Sequence, residues 1–409
     1  MQDLAQQLRS KFFETRDKIF KSTETMSKSM NPLKELLNQG QSVWLDYIQG
    51  GLIRSGDLQR LVEENEVRGV TSNPTIFEKA IAGSSDYDDV LRVMLEKDSQ
   101  IDAGKLFERV AIENIRAASD VLRAVYNETE GADGFVSIEV SPRLAHDTAR
   151  TIDEAKRLRA DVDRPNVMIK VPATPAGIPA IEALVADGVN VNITLMFSMK
   201  HYEAVAQAYI QGLQRCSNPR QVSSVASFFV SRVDTVVDGA LKKLGTEEAN
   251  TLLGKIAIAN CKLVYRRFRE IFYGEAFAAL RGRGARVQRP LWASTGTKDP
   301  AYSDLLYVEN LVGPDTVNTL PPATLDAFRR HGQVKGLTVE EELKKAKSDL
   351  CRLKELGIDL DAIAEKLQAD GISAFAVSLD QLLAAVETKR RRFVARAQSC
   401  EISSEPNTL

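Results

Sequence analysis

The chain has 409 residues, 44% hydrophobic and 27% charged, the balance of an ordinary soluble globular protein. Lysine plus arginine (54) against aspartate plus glutamate (56) leaves a formal net charge of −2, which gives no electrostatic footprint for a nucleic acid or an anionic membrane. Four cysteines without a CxxC pair and three histidines without HxxxH spacing argue against structural zinc, a disulfide framework and a histidine-rich metal site. No run of 18 apolar residues is present and the start, Met1-Gln2-Asp3-Leu4, lacks the apolar core of a signal peptide, so the expected location is cytoplasmic.

Residues 1–30 are polar, with Phe12, Phe13, Ile19 and Phe20 at roughly helical spacing, and predict an N-terminal helical arm that Asn31-Pro32 ends. From residue 33 to about 330 short apolar strands alternate with amphipathic helices. The strands are predicted at 43–48, 69–72, 135–140, 167–171, 189–197, 222–230, 291–294 and 316–320. The helices fall at 102–126, 148–160, 178–186, 200–213 and 249–271. Such alternation builds right-handed βαβ units around a parallel sheet, and eight strands suggest a closed (β/α)8 barrel. A dinucleotide fold is disfavoured, because Gly282-Arg283-Gly284-Ala285 follows a helical pattern rather than a strand. After Pro321-Pro322 the chain turns helical, with apolar stripes over 338–356 and 373–392 expected to pack on the outside of the barrel. The resulting organisation is an arm (1–30), a barrel (31–331), C-terminal helices packed on it (332–400) and a tail (401–409).

Polar residues interrupt these strands where buried apolar ones would be expected. The sharpest case is Lys170 in Val167-Met168-Ile169-Lys170-Val171, since burying an unpaired ammonium is costly. A desolvated lysine loses its proton more readily, and a neutral amine at a strand end can attack a carbonyl to form a Schiff base. The alternative is a lysine that snorkels to solvent or pairs with a carboxylate. The others are Asp46, Asn73 with its neighbours Thr71 and Ser72, Glu139, Asn192 with Thr194, Ser227 with Arg232, and Ser294 followed by Lys298. Singly, Asp46 could cap a helix, Asn73 could form a turn before Pro74, and Arg232 could sit in a surface ion pair. Jointly, on successive strands whose C-terminal ends meet at a barrel mouth, they describe an amine nucleophile, two proton-relay carboxylates and groups that hold a polyhydroxylated, phosphorylated substrate.

The segments Gly69-Val70-Thr71-Ser72-Asn73-Pro74-Thr75-Ile76-Phe77, Ile169-Lys170-Val171-Pro172-Ala173-Thr174 and Asn192-Ile193-Thr194-Leu195-Met196-Phe197-Ser198 resemble those of transaldolases. Trp292-Ala293-Ser294-Thr295-Gly296-Thr297-Lys298 resembles the longer bacterial branch of that family. The resemblance implies a class I (β/α)8 enzyme of the pentose phosphate pathway that needs no metal or cofactor. Such an enzyme moves a dihydroxyacetone unit from sedoheptulose 7-phosphate to glyceraldehyde 3-phosphate. It further implies Lys170 as the Schiff-base lysine, Asp46 and Glu139 as acid/base carboxylates, and Thr194 helping to hold a water for Glu139. Asn73 and Asn192 would bind hydroxyls, and Ser227 and Arg232 sugar and phosphate. Many members carry an arginine just after the serine of the seventh strand; here Thr295-Gly296-Thr297 stands there, so Ser294 and Lys298 are the expected phosphate ligands. Aldolase-like relatives carry a tyrosine where Phe229 stands and tend to replace the glutamate by glutamine, so Phe229 and Glu139 favour transfer over release. The expected partners are phosphorylated sugars, without nucleic acid or membrane, in a monomer or homodimer.

Overall fold

The computed structural model describes residues 31–82 and 84–403; the arm expected over 1–30 and the end of the tail lie outside the described residues. Seven strands form one parallel sheet: β1 (Gln41–Leu45), β2 (Val136–Glu139), β3 (Val167–Pro172), β4 (Val191–Met196), β5 (Ser224–Phe229), β6 (Gln288–Ala293) and β7 (Thr316–Leu320). Their order is β1-β7-β6-β5-β4-β3-β2, so each of β2 to β7 neighbours the next in sequence, while β1 pairs with β7. The gap between β1 and β2 is filled by residues 68–71, where Val70 bridges in parallel to Leu45 on one side and Val136 on the other. Backbone bonds from Thr71 N to Leu45 O (2.9 Å) and from Ser137 N to Val70 O (3.0 Å) complete the circle. The fold is therefore an α/β barrel, with this short segment as its second strand. A closed sheet leaves no unpaired edge, and helices cover its outer face. That is why β3, β4 and β5 are buried from end to end and read as near-continuous apolar runs.

Two differences from the expected strands have simple causes. The strand expected at 291–294 begins at Gln288 and passes through Pro290, a residue that cannot donate to a ladder and so masks a strand in the sequence. The second strand is short and carries Gly69 because the Trp44 indole lies against it: a Cβ there would sit 2.5 Å from the ring. The helix expected at 249–271 is interrupted. Glu247–Asn250 and Ile256–Tyr273 are separate helices, and the Asp238 and Asp234 carboxylates accept from Gly254 N and Ala257 N at the break.

At the N-terminal end of the barrel one buried carboxylate ties several strands together. Asp133 accepts from Ser42 Oγ on β1 and from Trp44 Nε1 (2.9 Å), and pairs with Arg68 (3.4 Å) and with Arg289 on β6 (3.3 Å). With two guanidinium partners and two neutral donors, its charge is compensated inside the fold.

The C-terminal helices pack on the barrel, but the last one lies over its mouth rather than on the outer wall alone. The helix Leu360–Ser403 places Gln368 Nε2 3.0 Å from both Ala173 O and Leu195 O, carbonyls just beyond β3 and at the end of β4. Farther along, Ser378 bonds Thr75, Asp380 pairs with Arg143, and Lys389 pairs with Asp88. By length and hydropathy this helix would suffice to cross a membrane. Its apolar residues Phe375, Leu382, Val386 and Phe393 are instead buried against the rest of the protein.

Removing the Asp133 carboxylate leaves two arginines without their shared counter-charge. Asp133→Ala is expected to destabilise the fold by about 3–5 kcal/mol, measured as the drop in unfolding free energy by urea titration. A loss under about 1 kcal/mol would show that the arginines find other partners.

Candidate active site

Strand register alone gathers the polar residues. Glu139 on β2 lies opposite Lys170 on β3, and Lys170 lies opposite Asn192 on β4. With side chains alternating along each strand, the contacts place these three on the barrel interior. Asn192 is fully buried, donates Nδ2 to Ser137 Oγ (2.9 Å) and accepts at Oδ1 from Ser227 Oγ (2.6 Å), joining β2, β4 and β5 across the interior.

Lys170 is buried. Its Nζ donates to Ser72 O (3.2 Å), lies 3.6 Å from Glu139 Oε2 and 6.0 Å from the centre of the Phe375 ring. Of the two plain readings of a strand lysine, snorkelling is therefore excluded and carboxylate pairing observed. Burial pushes the Glu139 carboxyl above the usual glutamate range; Lys170 opposes the push and the charge on Asp46 adds to it. Glu139 Oε2 and Thr194 Oγ1 are both buried without a hydrogen-bond partner among the described residues. Buried polar atoms of this kind are places where a water is held.

Asp46 follows directly on β1. It accepts at Oδ1 from Thr71 Oγ1 (2.7 Å), which also bonds Thr319 Oγ1 (2.7 Å). It caps no helix. Protein atoms crowd the carboxyl, and this burial raises it above the usual aspartate range; Lys170, the Thr71 hydrogen bond, Arg232 and Lys298 pull the other way. Asn73 does act in a turn, accepting at Oδ1 from Ile76 N (3.0 Å) at the start of the helix Pro74–Ala82. That bond orients the amide and leaves its Nδ2 without a partner among the described residues.

These groups surround a cavity of about 400 Å³ at the C-terminal end of the strands. Asp46, Asn73, Lys170, Ser227, Arg232, Ser294 and Lys298 line it directly. Asn192 and Thr194 are not among the residues that line it, and Glu139 lines a second cavity of about 310 Å³ that shares Asn73 with the first. Arg232 makes no surface ion pair among the described residues; its guanidinium lies 5.1 Å from the Phe229 ring centre and 5.9 Å from that of Phe375. Ser294 bonds Ser231 Oγ (2.9 Å) and has φ +56°, a left-handed conformation that costs a non-glycine residue about 1–2 kcal/mol and turns the chain sharply at the end of β6.

Among the lining residues, Lys79 and Phe375 carry no signal in the sequence and Thr71 only a weak one. Thr71 was visible only as a neighbour of Asn73, although period-two spacing from Gly69 points it inward. Lys79 lies on the helix that Asn73 caps, less than two turns on, and no local pattern marks it. Phe375 comes from the last helix, more than 200 residues from Lys170 in sequence, so only the tertiary structure could reveal it. Around the rim Lys79, Arg232 and Lys298 face the cavity with no ion-pair partner among the described residues, a cationic mouth suited to a phosphate.

Comparison with known proteins agrees with this geometry. A family model described as transaldolase/fructose-6-phosphate aldolase matches residues 43–386. Transaldolase 1 of Streptomyces coelicolor is 48% identical over 358 residues, covering 87% of this chain and 93% of that protein. A transaldolase of Frankia alni is 48% identical over 360 residues, covering 87% and 96% respectively. One from Thiobacillus denitrificans is 47% identical over 362 residues, which covers 87% of this chain and all of that protein.

The hydrogen bond from Thr71 favours the ionised form of Asp46. Thr71→Val is therefore expected to move the Asp46 titration to higher pH, followed by carboxyl carbon NMR of the labelled protein. An unchanged midpoint would mean that cavity water replaces the hydroxyl.

Proposed function

The chain belongs to the transaldolase family, and from that premise we propose a division of labour among the residues at its barrel mouth. The enzyme transfers a dihydroxyacetone unit from sedoheptulose 7-phosphate to glyceraldehyde 3-phosphate, giving erythrose 4-phosphate and fructose 6-phosphate in the pentose phosphate pathway. Its substrates are phosphorylated sugars. The observation that carries the assignment of roles is a buried lysine, 3.6 Å from one carboxylate, in a cavity lined by a second.

Lys170 attacks the ketose carbonyl through Nζ, and loss of water leaves an iminium. Glu139, through a water shared with Thr194 Oγ1, moves the protons of that addition and dehydration; the partnerless buried oxygens of the two residues support this. Asp46 then takes the proton of the C4 hydroxyl. The C3–C4 bond breaks, its electron pair flows into the iminium to form an enamine, and the shortened aldose leaves. When the acceptor aldehyde enters, the enamine carbon attacks it and Asp46 returns the proton to the new hydroxyl. Hydrolysis frees the product and Lys170. The lysine is itself the electron sink, so the chemistry calls for neither metal nor organic cofactor.

Both carboxyls bind protons more readily than free ones, which suits groups that must accept and return a proton near neutral pH. Asn73, with its free Nδ2, binds a hydroxyl of the three-carbon unit; Asn192 and Ser227 hold the hydroxyl-binding face below it. Arg232, Ser294 and Lys298 bind the phosphate, and Lys79 joins them from the opposite rim. Lys298 would supply the charge that an arginine after the seventh-strand serine provides in many relatives. Glu139 and Phe229 favour transfer over release as a free ketone. We further propose a cytoplasmic enzyme working as a monomer or homodimer without nucleic-acid or membrane partners; the near-neutral charge balance and the packing of the long helix on the barrel support the absence of those partners. The barrel with its capping helices serves as one catalytic unit.

Incubation with fructose 6-phosphate followed by borohydride is expected to fix a dihydroxyacetone adduct on Lys170, located by peptide mass spectrometry; no adduct on folded protein would sink the mechanism. Asp46→Asn should lower turnover about 10²–10⁴-fold, the usual worth of a positioned acid/base group. Lys298→Ala and Lys79→Ala should each raise the KM for fructose 6-phosphate about tenfold or more, as expected for a lost charged hydrogen bond, while the KM for an unphosphorylated donor stays put. Equal KM values in variant and parent would remove that lysine from the phosphate site.

A further inference from the structure

The last helix has a role that the reaction makes specific. β4 does not run regularly to its end: its register with β5 shifts between Ile193 and Met196, and Leu195 within the shift has φ +60°. A bulge of this kind re-aims the backbone. Leu195 O receives Gln368 Nε2, which also bonds Ala173 O, and Gln368 is buried. Gly371, three residues on, is the close-approach point. A Cβ there would meet Leu195 Cδ2 at 2.8 Å and Arg232 at 3.5 Å, so glycine lets the helix lie directly on the strand end. Phe375, one turn farther on the same face, is 4% exposed and lines the cavity.

The Phe375 ring centre is 6.0 Å from Lys170 Nζ and 5.9 Å from the Arg232 guanidinium carbon. Both distances stand at the outer limit of cation–π attraction. The effect of the ring is therefore chiefly to occupy space next to the lysine that water would otherwise fill. Phe229 and Phe375 flank Arg232 and give this side of the cavity an apolar wall.

We infer that Phe375, held in place by Gln368 and Gly371, is a positioning residue that keeps water from the enamine on Lys170 and so adds to Phe229 and Glu139 in favouring transfer over release. The inference rests on Lys170 as the Schiff-base lysine. The leak it suppresses is defined. A proton from water adds to the enamine carbon that would have attacked the acceptor, giving the iminium of dihydroxyacetone. Water then adds to the iminium carbon and the C–N bond breaks, releasing free dihydroxyacetone and the Lys170 amine. The net reaction is fructose 6-phosphate to dihydroxyacetone and glyceraldehyde 3-phosphate, with no oxidant or reductant.

The test compares wild type, Phe375→Ala, Phe375→Leu and Gln368→Ala. Dihydroxyacetone release from fructose 6-phosphate without an acceptor is measured against transfer to added erythrose 4-phosphate, and the borohydride adduct on Lys170 is assayed in parallel. Phe375→Ala is expected to raise the release-to-transfer ratio by about tenfold or more through loss of water exclusion. Phe375→Leu, which keeps apolar bulk, should restore a ratio near that of wild type. Gln368→Ala removes the two bonds that fix this turn of the helix to the strand-end carbonyls without altering a cavity residue and should shift the ratio in the same direction as Phe375→Ala; it decides the matter if Phe375→Ala does not fold. Adduct formation with a ratio within twofold of wild type in the folded variants overturns the role of Phe375 and leaves the Schiff base standing. Absence of the adduct in wild type itself overturns both.

Discussion

A lysine ammonium cannot be buried in a packed barrel unless something beside it carries the opposite charge, and much of the architecture around Lys170 follows from that constraint. The attraction of Glu139 at 3.6 Å is worth roughly 4–5 kcal/mol at an effective dielectric of 20, comparable to what desolvation of the pair costs. The pair is then no large source of stability. It is a charge distribution kept in place by its surroundings. Neighbouring strands must supply partners at the same height, so the interior layer of Ser137, Asn192 and Ser227 is a hydrogen-bonded chain rather than a packed apolar layer. The stabilising work falls to the apolar shell between sheet and helices and to the Asp133 cluster at the other end of the strands. Binding chemistry and fold stability thus occupy opposite ends of one barrel, as the topology of a parallel barrel encourages.

The two carboxylates are held by different means, as the separate tasks proposed for them require. Glu139 is on a strand, fixed by sheet register against Lys170, with Oε2 making no hydrogen bond among the described residues. Asp46 is the first residue beyond β1, fixed by Thr71 and open to the cavity where the sugar chain must lie. One carboxyl can act on the nitrogen end of the intermediate and the other on the carbon chain. The lysines at the rim, by contrast, sit on a helix and a loop. Lys79 and Lys298 are exposed, so their side chains can move without disturbing Lys170 and the two carboxylates.

Much of this was legible in the chain. Lys170, Glu139 and Asp46 stand out because each is a charged residue in an apolar strand, which carries a free-energy cost that physical reasoning can detect. β7 was read at its observed bounds, 316–320, because both faces of it are buried and turn residues flank it. Gln288 to Pro290 escape the pattern because the proline conceals a strand, and the second strand is hard to delimit because its ladder rests on Val70 alone, bridged to Leu45 and to Val136. The turn reading of Asn73 holds, its oxygen accepting at the start of a helix, and its amide nitrogen has no partner among the described residues, which leaves it available for the role proposed. Where the last helix lies was not legible. An apolar stripe states that a helix is buried on one side, and Phe375 reads the same whether it faces an outer wall or a barrel mouth. The distinction depends on Gln368 meeting two strand-end carbonyls, a contact between segments more than 170 residues apart.

That contact also bears on how the enzyme can hold an intermediate while exchanging its partners. After the carbon–carbon bond breaks, one phosphorylated aldehyde must leave and another must enter, so the cavity has to stay open toward the cationic rim throughout. A lid that closed over the whole mouth would protect the enamine and block the exchange. The arrangement here divides the mouth instead. The helix anchored by Gln368 places an aromatic wall close to Lys170, while Lys79 and Lys298 line the cavity from exposed positions. Arg232, flanked by Phe229 and Phe375, belongs to both regions: it brings a charge to the cavity lining and its guanidinium lies against the two rings of the apolar wall. A lysine at position 232 would keep the charge but not the stacked surface, so the guanidinium is suited to a site that must bind an anion and exclude water within a few ångströms.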